Sequence, residues 1–234
     1  MEVRPPLQKR RDPTTGAPPR KRLRLILTIC ASALFCAVGI FIFGLHCRPN
    51  WYIPRSIDYG TLEDDKRAQV QLENRVSAAL SAGQSVELTL TQDQLNRWIA
   101  ARGELWPGKL PSLEPFEHPM IVLEEGNRIR VAASAVYAGV RAVISLTFRV
   151  ELTEGEVVIA ADSLHAGALP IPTGVFAKNL RNRMERAPTQ VLEFDGERLV
   201  LRNEWVWPNG KRLFRAAALW TADGALRITL EPLE

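Results

Sequence analysis

The pattern of apolar and polar residues divides the chain into one long apolar run and a series of shorter periodic segments. The run Leu25–Leu45 contains no charged residue, and as a helix rising about 1.5 Å per residue it spans a bilayer core of about 30 Å. Segments with apolar residues at helical spacing begin after Thr61, which resembles a capping residue, after Thr91, and over Thr173–Arg186. The pattern therefore predicts one transmembrane helix and two or three further helices.

Alternation of apolar and polar residues predicts a mostly antiparallel sheet of about eight strands. The predicted strands are Val86–Leu90, Ile129–Tyr137, Val140–Leu152, Val157–Ala161, Val191–Phe194, Leu199–Trp207, Arg212–Thr221 and Ala225–Glu231. The turn signals Asp195–Gly196, Asn209–Gly210 and Asp223–Gly224 separate the last four as hairpins. Because the βαβ alternation of a parallel sheet is absent, the fold class is α+β: an N-terminal transmembrane helix, then a curved, mostly antiparallel sheet packed with the helices.

The same pattern predicts four regions along the chain. Residues 1–24 form a disordered basic tail, 25–46 the transmembrane helix, 47–60 a juxtamembrane linker and 61–234 an extracytoplasmic α+β domain. Pro49 and Pro54 prevent the helix from continuing into the linker. Trp106–Pro119 contains four prolines and is expected to be an irregular loop.

The charge of the chain is concentrated in its tail. Residues 1–24 hold eight of the 30 basic residues and two of the 26 acidic ones, so the rest of the sequence has 22 basic and 24 acidic residues. Basic flanks stay on the cytoplasmic side, which predicts a single-pass protein of the inner (cytoplasmic) membrane with a cytoplasmic N-terminus. Attraction of the tail to the anionic inner leaflet explains its charge without a nucleic-acid partner. Trp51 and Tyr52 stand where an outer aromatic belt is expected.

Cysteine usage and the length of the apolar run fit an uncleaved signal-anchor of the cell envelope. The run is longer than the about 7–15 apolar residues of a cleaved signal peptide. Cys30 and Cys36 lie inside the run, and Cys47 is the single cysteine beyond it. The C-terminal domain therefore has no intramolecular disulfide and must be stabilised by its core.

No motif for catalysis, metal binding or cofactor binding is present in the sequence. It contains no GxSxG, HExxH, CxxC or Walker-type phosphate loop. His46, His118 and His165 are far apart, and Asp162 and Ser163 next to His165 lack the turn of an activated nucleophile. We therefore expect a protein that is not an enzyme and needs no cofactor.

Two short segments carry a family resemblance. Val86–Thr91 leads into Gln94–Asn96, and Gly167–Pro172 is followed at once by a predicted helix. Together with the basic tail and single span, they resemble the YpmS-like family of bacterial single-pass membrane proteins over about Ser81–Glu185. The resemblance implies a distant similarity to tubular lipid-binding envelope domains, in which a curved antiparallel sheet wraps a helix and encloses an apolar groove. The long tail, the tryptophan content and the C-terminal hairpins depart from the family pattern.

A sheet with one apolar face must either cover that face or leave an apolar groove. In the groove hypothesis the domain binds a lipid or another apolar ligand. The candidate groove residues are Ile144, Leu146, Phe148, Ile159, Leu169, Val175 and Phe176. Lys178, Arg181 and Arg183 are the candidate residues for a lipid headgroup. The alternative is a non-catalytic scaffold or protein-interaction module of the cell envelope with a fully packed core, and a third is an enzyme whose site carries no recognisable motif.

Overall fold

The computed structural model describes residues 20–107, 116–137, 139–174, 191–194, 197–207 and 213–233. The chain forms two compact units, Met1–Ile42 and Phe43–Glu234. Helix α1, Arg20–His46, is the one helix of the described residues that is long and apolar enough to span a membrane. Its residues are exposed from Thr28 to Phe43. The predicted spanning helix is therefore confirmed in length and composition.

Three helices with both ends among the described residues follow in the second unit. They are α2 (Leu62–Ser81), α3 (Gln92–Ala100) and α4 (Arg102–Leu105). Thr91 caps α3 as predicted, since its hydroxyl oxygen accepts a hydrogen bond from the Gln94 N–H at 3.1 Å. The capping box predicted at Thr61 is wrong: this residue has helical backbone angles, and its hydroxyl donates to the carbonyl of Asp58. Gly83 ends α2 in the left-handed conformation, at φ 70°.

The part of the chain that the structure describes contains eleven strands in two sheets. The strands are β1 (Val86–Thr91), β2 (Phe116–Glu124), β3 (Arg128–Tyr137), β4 (Val140–Leu152), β5 (Glu156–Ala166), β6 (Leu169–Ile171), β7 (Val191–Phe194), β8 (Arg198–Arg202), β9 (Trp205–Val206), β10 (Leu213–Ala222) and β11 (Ala225–Pro232). The small sheet has the order β1-β11-β10-β9, and the large sheet β2-β3-β4-β5-β8-β7, with β6 also paired to β5. Among the described residues the pairings are antiparallel, and neither order returns to its first strand.

Three strands separate the eleven of the structure from the predicted eight. One of them is β6, since Leu169–Ile171 pairs with the end of β5. The predicted strand Leu199–Trp207 is interrupted at Asn203, where the chain leaves the large sheet at β8 and enters the small sheet at β9. Strand β2 begins inside the segment expected to be a proline-rich loop. It accommodates Pro119 because it is an edge strand with a bulge between Glu117 and Met120.

Asn203 joins the two sheets. It is 2% exposed, and its amide nitrogen donates to the carbonyls of Thr153, at the β4–β5 turn, and Ala216, in β10, at 3.0 and 2.8 Å. Its amide oxygen accepts from the Ala216 N–H at 2.9 Å. Thr221 makes a second link, because its hydroxyl donates to the carbonyl of Glu124 in β2. Strand β10 is thus held against the turns of the large sheet.

Helices α2 and α3 cover the small sheet and one edge of the large sheet. Val76 and Leu80 of α2 pack on Val86, Leu88 and Leu230 of β1 and β11. A second buried cluster joins α2 to α3 and α4 and consists of Leu62, Trp98, Ala101 and Leu105. Burial of apolar surface in these contacts stabilises the fold by about 25 cal/mol per Å² of area buried. The same contacts place α3 beside β2.

Side chains of α3 take the place of a neighbouring strand along the edge of β2. Asn96 accepts from the Ile121 N–H and donates to the Ile121 carbonyl, both at 2.8 Å. The side-chain oxygen of Gln92 accepts from the Leu123 N–H, also at 2.8 Å. Asn96 belongs to the segment Gln94–Asn96 on which the family resemblance depends. In this chain it satisfies the free backbone groups of an edge strand.

The predicted hairpins and third helix are described in part. Asp223 and Gly224 join β10 to β11 with φ of 52° and 67°, which confirms a two-residue turn with two left-handed residues. Asp195–Gly196 and Asn209–Gly210 lie outside the described residues, as does the predicted helix Thr173–Arg186 beyond Gly174.

Candidate functional site

Strand β4 presents apolar and polar residues to opposite faces of the large sheet, and between Ile144 and Phe148 the polar face is the more buried one. Ser145 and Thr147 are 5% and 7% exposed. Their neighbours Ile144, Leu146 and Phe148 point to the other face and remain partly exposed. In most half-buried strands the apolar residues face the core, so β4 has the reverse arrangement over these positions.

The strands on both sides of β4 extend the apolar surface. Leu146 pairs with Val131 of β3 and with Leu164 of β5. Ile159 of β5 pairs with Val150 of β4, two residues beyond Phe148. We define the apolar face as the partly exposed residues Val131, Ile144, Leu146, Phe148 and Ile159.

Buried residues lie at the edges of the apolar face. On the same side of the sheet, Leu123, Val150, Leu164 and Ala166 are 3–7% exposed. The three buried clusters found among the described residues include no residue of the apolar face. The apolar face is therefore partly exposed, with buried residues beside it and, at Val150, between Phe148 and Ile159.

The predicted groove residues fall into three groups in the structure. Ile144, Leu146, Phe148 and Ile159 lie together on the apolar face. Leu169 contacts the last turn of α1 instead: a Cβ atom placed on Gly44 would lie 2.7 Å from Leu169 Cδ2. The other predicted residues, Val175, Phe176, Lys178, Arg181 and Arg183, lie outside the described residues.

The segment after α1 covers part of the opposite, polar face. Tyr52 was expected in an aromatic belt, but it is 3% exposed and packs on Met120, Ala132 and Val143. Its hydroxyl donates to the carbonyl of His118 at 2.7 Å. Burial of the phenol raises the pKa of Tyr52 above its usual value. Residues 47–60, predicted as a linker, thus include a core residue of the second unit.

A polar cleft of about 320 Å³ remains on this face beside Trp51 and Cys47. Its floor is formed by side chains of β3, β4 and β5: Arg130, Ser145, Thr147, Ser163 and His165. Ser145 pairs with His165 and Thr147 pairs with Ser163 across the two strands, so the four polar residues form a compact square. The exposed residues Cys47 and Ala168 lie at its opening.

Arg130 is held in place by three neighbours. Its Nε donates to the Thr147 hydroxyl oxygen at 3.2 Å, and its guanidinium lies 4.8 Å from the ring centre of Trp51. Its Nη2 is 2.6 Å from Glu124 Oε1, and the same carboxylate is 3.8 Å from Arg128. Since two guanidinium groups share one carboxylate, this group of charges carries a net positive charge.

The sequence pattern indicates only part of the chemistry of this face. His165 and Ser163 both line the cleft, but Asp162 pairs with Arg149 at 3.5 Å rather than with His165. Ser145 and Thr147 alternate with Ile144, Leu146 and Phe148 in β4, but alternation alone does not mark them as site residues. Their burial depends on the segment around Tyr52, which is distant in sequence.

The described residues contain no group of three or more His, Cys, Asp or Glu side chains that could hold a metal ion. No family model, curated protein or solved structure matches the chain. The candidate site is therefore defined by its geometry: an apolar face and a polar cleft on opposite sides of β4 and β5.

Proposed function

We propose that this protein is a membrane-anchored, extracytoplasmic domain that binds a lipid acyl chain or another apolar ligand on the apolar face and performs no catalysis. The observation that carries the proposal is the partial exposure of Ile144, Leu146 and Phe148 while Ser145 and Thr147 behind them are buried. Folding normally removes such apolar side chains from water. An apolar surface that remains partly exposed across neighbouring strands is typical of a ligand or interaction site.

The proposed membrane anchor makes lipid the most available apolar ligand. The basic tail supports a cytoplasmic N-terminus and an extracytoplasmic domain in the inner membrane of the cell envelope. The β5–β6 turn lies against the last turn of α1, where the Ala168 N–H donates to the Gly44 carbonyl at 2.9 Å. The resemblance to the YpmS-like family, and through it to lipid-binding envelope domains, supports the same function.

Crosslinking in a lipid bilayer tests this proposal. The full chain is placed in nanodiscs that contain a phospholipid with a diazirine at the end of its acyl chain, and the sites of covalent attachment are mapped after trypsin digestion. This group lies deep in the bilayer, so it reaches the domain only when an acyl chain enters it. We expect adducts on peptide 142–149, which contains Ile144, Leu146 and Phe148, and none on peptide 216–227 of the small sheet.

A pair of variants provides the control. Leu146→Glu places a charge within the apolar face and should lower the adduct yield on peptide 142–149 about tenfold or more, because burying an unpaired carboxylate is costly. Val206→Glu makes the same change at a residue of β9 that is 56% exposed and should leave the yield unchanged. Adducts confined to α1 in the wild-type chain would contradict lipid binding and favour the alternative, an envelope scaffold or protein-interaction module.

A further inference from the structure

The polar cleft on the other side of the sheet has the chemistry of an anion site. Its lining includes Arg130 and His165 and no Asp or Glu residue. The hydroxyls of Ser145, Thr147 and Ser163 add donors that can turn toward a bound group. Glu124 is the carboxylate that pairs with Arg130, and it is shared with Arg128. One net positive charge therefore remains close to the cleft.

Several of these donors make no side-chain hydrogen bond to the residues that the structure describes. Ser145 is 95% buried and lines the cleft, and its hydroxyl bonds to no described residue. The side chains of Ser163 and His165, which are partly exposed, also line the cleft without a hydrogen bond to a described residue. These donors border the cleft, where a ligand or water can supply the hydrogen bonds that polar groups in folded proteins nearly always make. Such a set of donors, aimed into one space and held by neighbouring strands, is arranged for a ligand that brings several acceptor oxygens.

We propose that this cleft binds a phosphate group, with Arg130, Ser145, Ser163 and His165 as donors. Guanidinium, hydroxyl and imidazole groups bind phosphate oxygens through charge-assisted hydrogen bonds. The size of the cleft, about 320 Å³, corresponds to the smaller ligand sites of proteins. This site is separate from the apolar face, so it does not depend on the proposed acyl-chain binding.

The position of the cleft gives the phosphate two possible sources. Cys47 at its opening is bonded to the last turn of α1, where the Cys47 N–H donates to the Gly44 carbonyl at 3.3 Å. A helix that spans the membrane up to His46 would bring phospholipid headgroups to this opening. The lipid source rests on the proposed membrane anchoring, whereas a free phosphate would reach the cleft from solution.

Calorimetric titration of the full chain in maltoside micelles, which contain no phosphate, tests the site. The probes are inorganic phosphate and glycerol 3-phosphate, the headgroup of phosphatidic acid without its acyl chains. We expect saturable binding, weakened about tenfold or more by the double variant Ser145→Ala/Ser163→Ala, since each hydrogen bond to a charged group contributes about this factor. Tighter binding of glycerol 3-phosphate supports the lipid source, and equal or tighter binding of inorganic phosphate supports the free ion.

Ser134→Ala is the matched control, because Ser134 is a buried serine of the same face whose hydroxyl donates to the Glu117 carbonyl at 3.2 Å, outside the cleft. It should bind both probes as the wild type does. As a second measurement, saturating phosphate should slow the reaction of Cys47 with a maleimide. The absence of saturable binding up to roughly 10 mM of either probe, or equal binding by the double variant, would overturn the proposal even if acyl chains bind the apolar face.

Discussion

At the scale of single residues, Tyr52 connects the segment after α1 to the large sheet. Its ring lies 5.2 Å from the guanidinium carbon of Arg48, and that guanidinium also donates to the Tyr52 carbonyl. Its hydroxyl bonds to the carbonyl of His118, a residue in the left-handed conformation with φ 50°. The bulge of β2 thus exposes the His118 carbonyl, which accepts a hydrogen bond from Tyr52, a residue far away in sequence.

Tyr52→Phe should lower the free energy of unfolding by about 1–2 kcal/mol at neutral pH, since it leaves the His118 carbonyl without its partner. The pKa of Tyr52 is raised in the folded state. Its contribution to stability is therefore complete below the unfolded pKa of about 10 and is lost as the pH rises through the higher folded pKa. Urea unfolding followed by fluorescence should show the difference between wild type and variant shrinking above about pH 10.

Tyr59→Phe is the control for that experiment because Tyr59 is 72% exposed. It should match the wild type at both neutral and alkaline pH. A difference between Tyr52→Phe and the wild type that stays constant across this range would show that ionisation of Tyr52 is not coupled to folding.

At the scale of secondary-structure elements, α3 protects the edge of the large sheet with side chains instead of with a strand. The Asn96 side chain is bonded to both backbone groups of Ile121 and also donates to the Gln92 carbonyl within α3, at 2.9 Å. An edge strand with free backbone groups is a site for unwanted pairing with other chains. The helix therefore stabilises β2 and blocks association along it.

Asn96→Ala should destabilise the protein by about 1–3 kcal/mol, because Ile121 loses two hydrogen bonds. Hydrogen exchange should become at least about tenfold faster at the Ile121 amide. The Leu123 amide, bonded to Gln92 rather than to Asn96, should change less and serves as an internal control. Asn74→Ala, at an exposed position of α2, should have little effect. Equal acceleration at both amides would mean that the whole strand is released rather than a single pair of bonds.

At the scale of the whole molecule, the proposed topology places the compact unit Phe43–Glu234 outside the cytoplasm. Cys47 is exposed just beyond α1, and Cys30 and Cys36 lie within the proposed span. A thiol in hydrocarbon does not ionise and reacts poorly. Cys47 is therefore a reporter of the side on which the domain lies.

A maleimide that cannot cross membranes should label the wild-type protein in intact cells and should not label Cys47→Ser. If labelling of Cys47 requires permeabilised cells, the domain is cytoplasmic and the proposed orientation is wrong. Equal labelling of Cys47→Ser would show that Cys30 or Cys36 is accessible to water, which contradicts a span through both residues.

Local sequence patterns predicted much of the secondary structure. The run Leu25–Leu45 gave α1, Thr91 gave the start of α3, and Asp223–Gly224 gave the turn between β10 and β11. Each of these predictions depends only on residues close together in sequence. The length of the apolar run determines α1, the Thr91 side chain reaches a backbone N–H three residues later, and Asp223–Gly224 forms a left-handed turn. The separation of two sheets at Asn203 depends on bonds to Thr153 and Ala216, which no local pattern reveals.

The sequence by itself determined that β4 has one apolar and one polar face, because side chains alternate along any strand. It also determined the apolar length of α1 and the charge of the tail. Only the tertiary structure decided which face of β4 is covered. The segment around Tyr52 packs on the polar face, and it leaves Ser145 and His165 around a cleft and Ile144 and Leu146 partly exposed on the other side. The physical reason is that burial is set by whichever distant segment packs on a face, whereas alternation is set by the backbone alone.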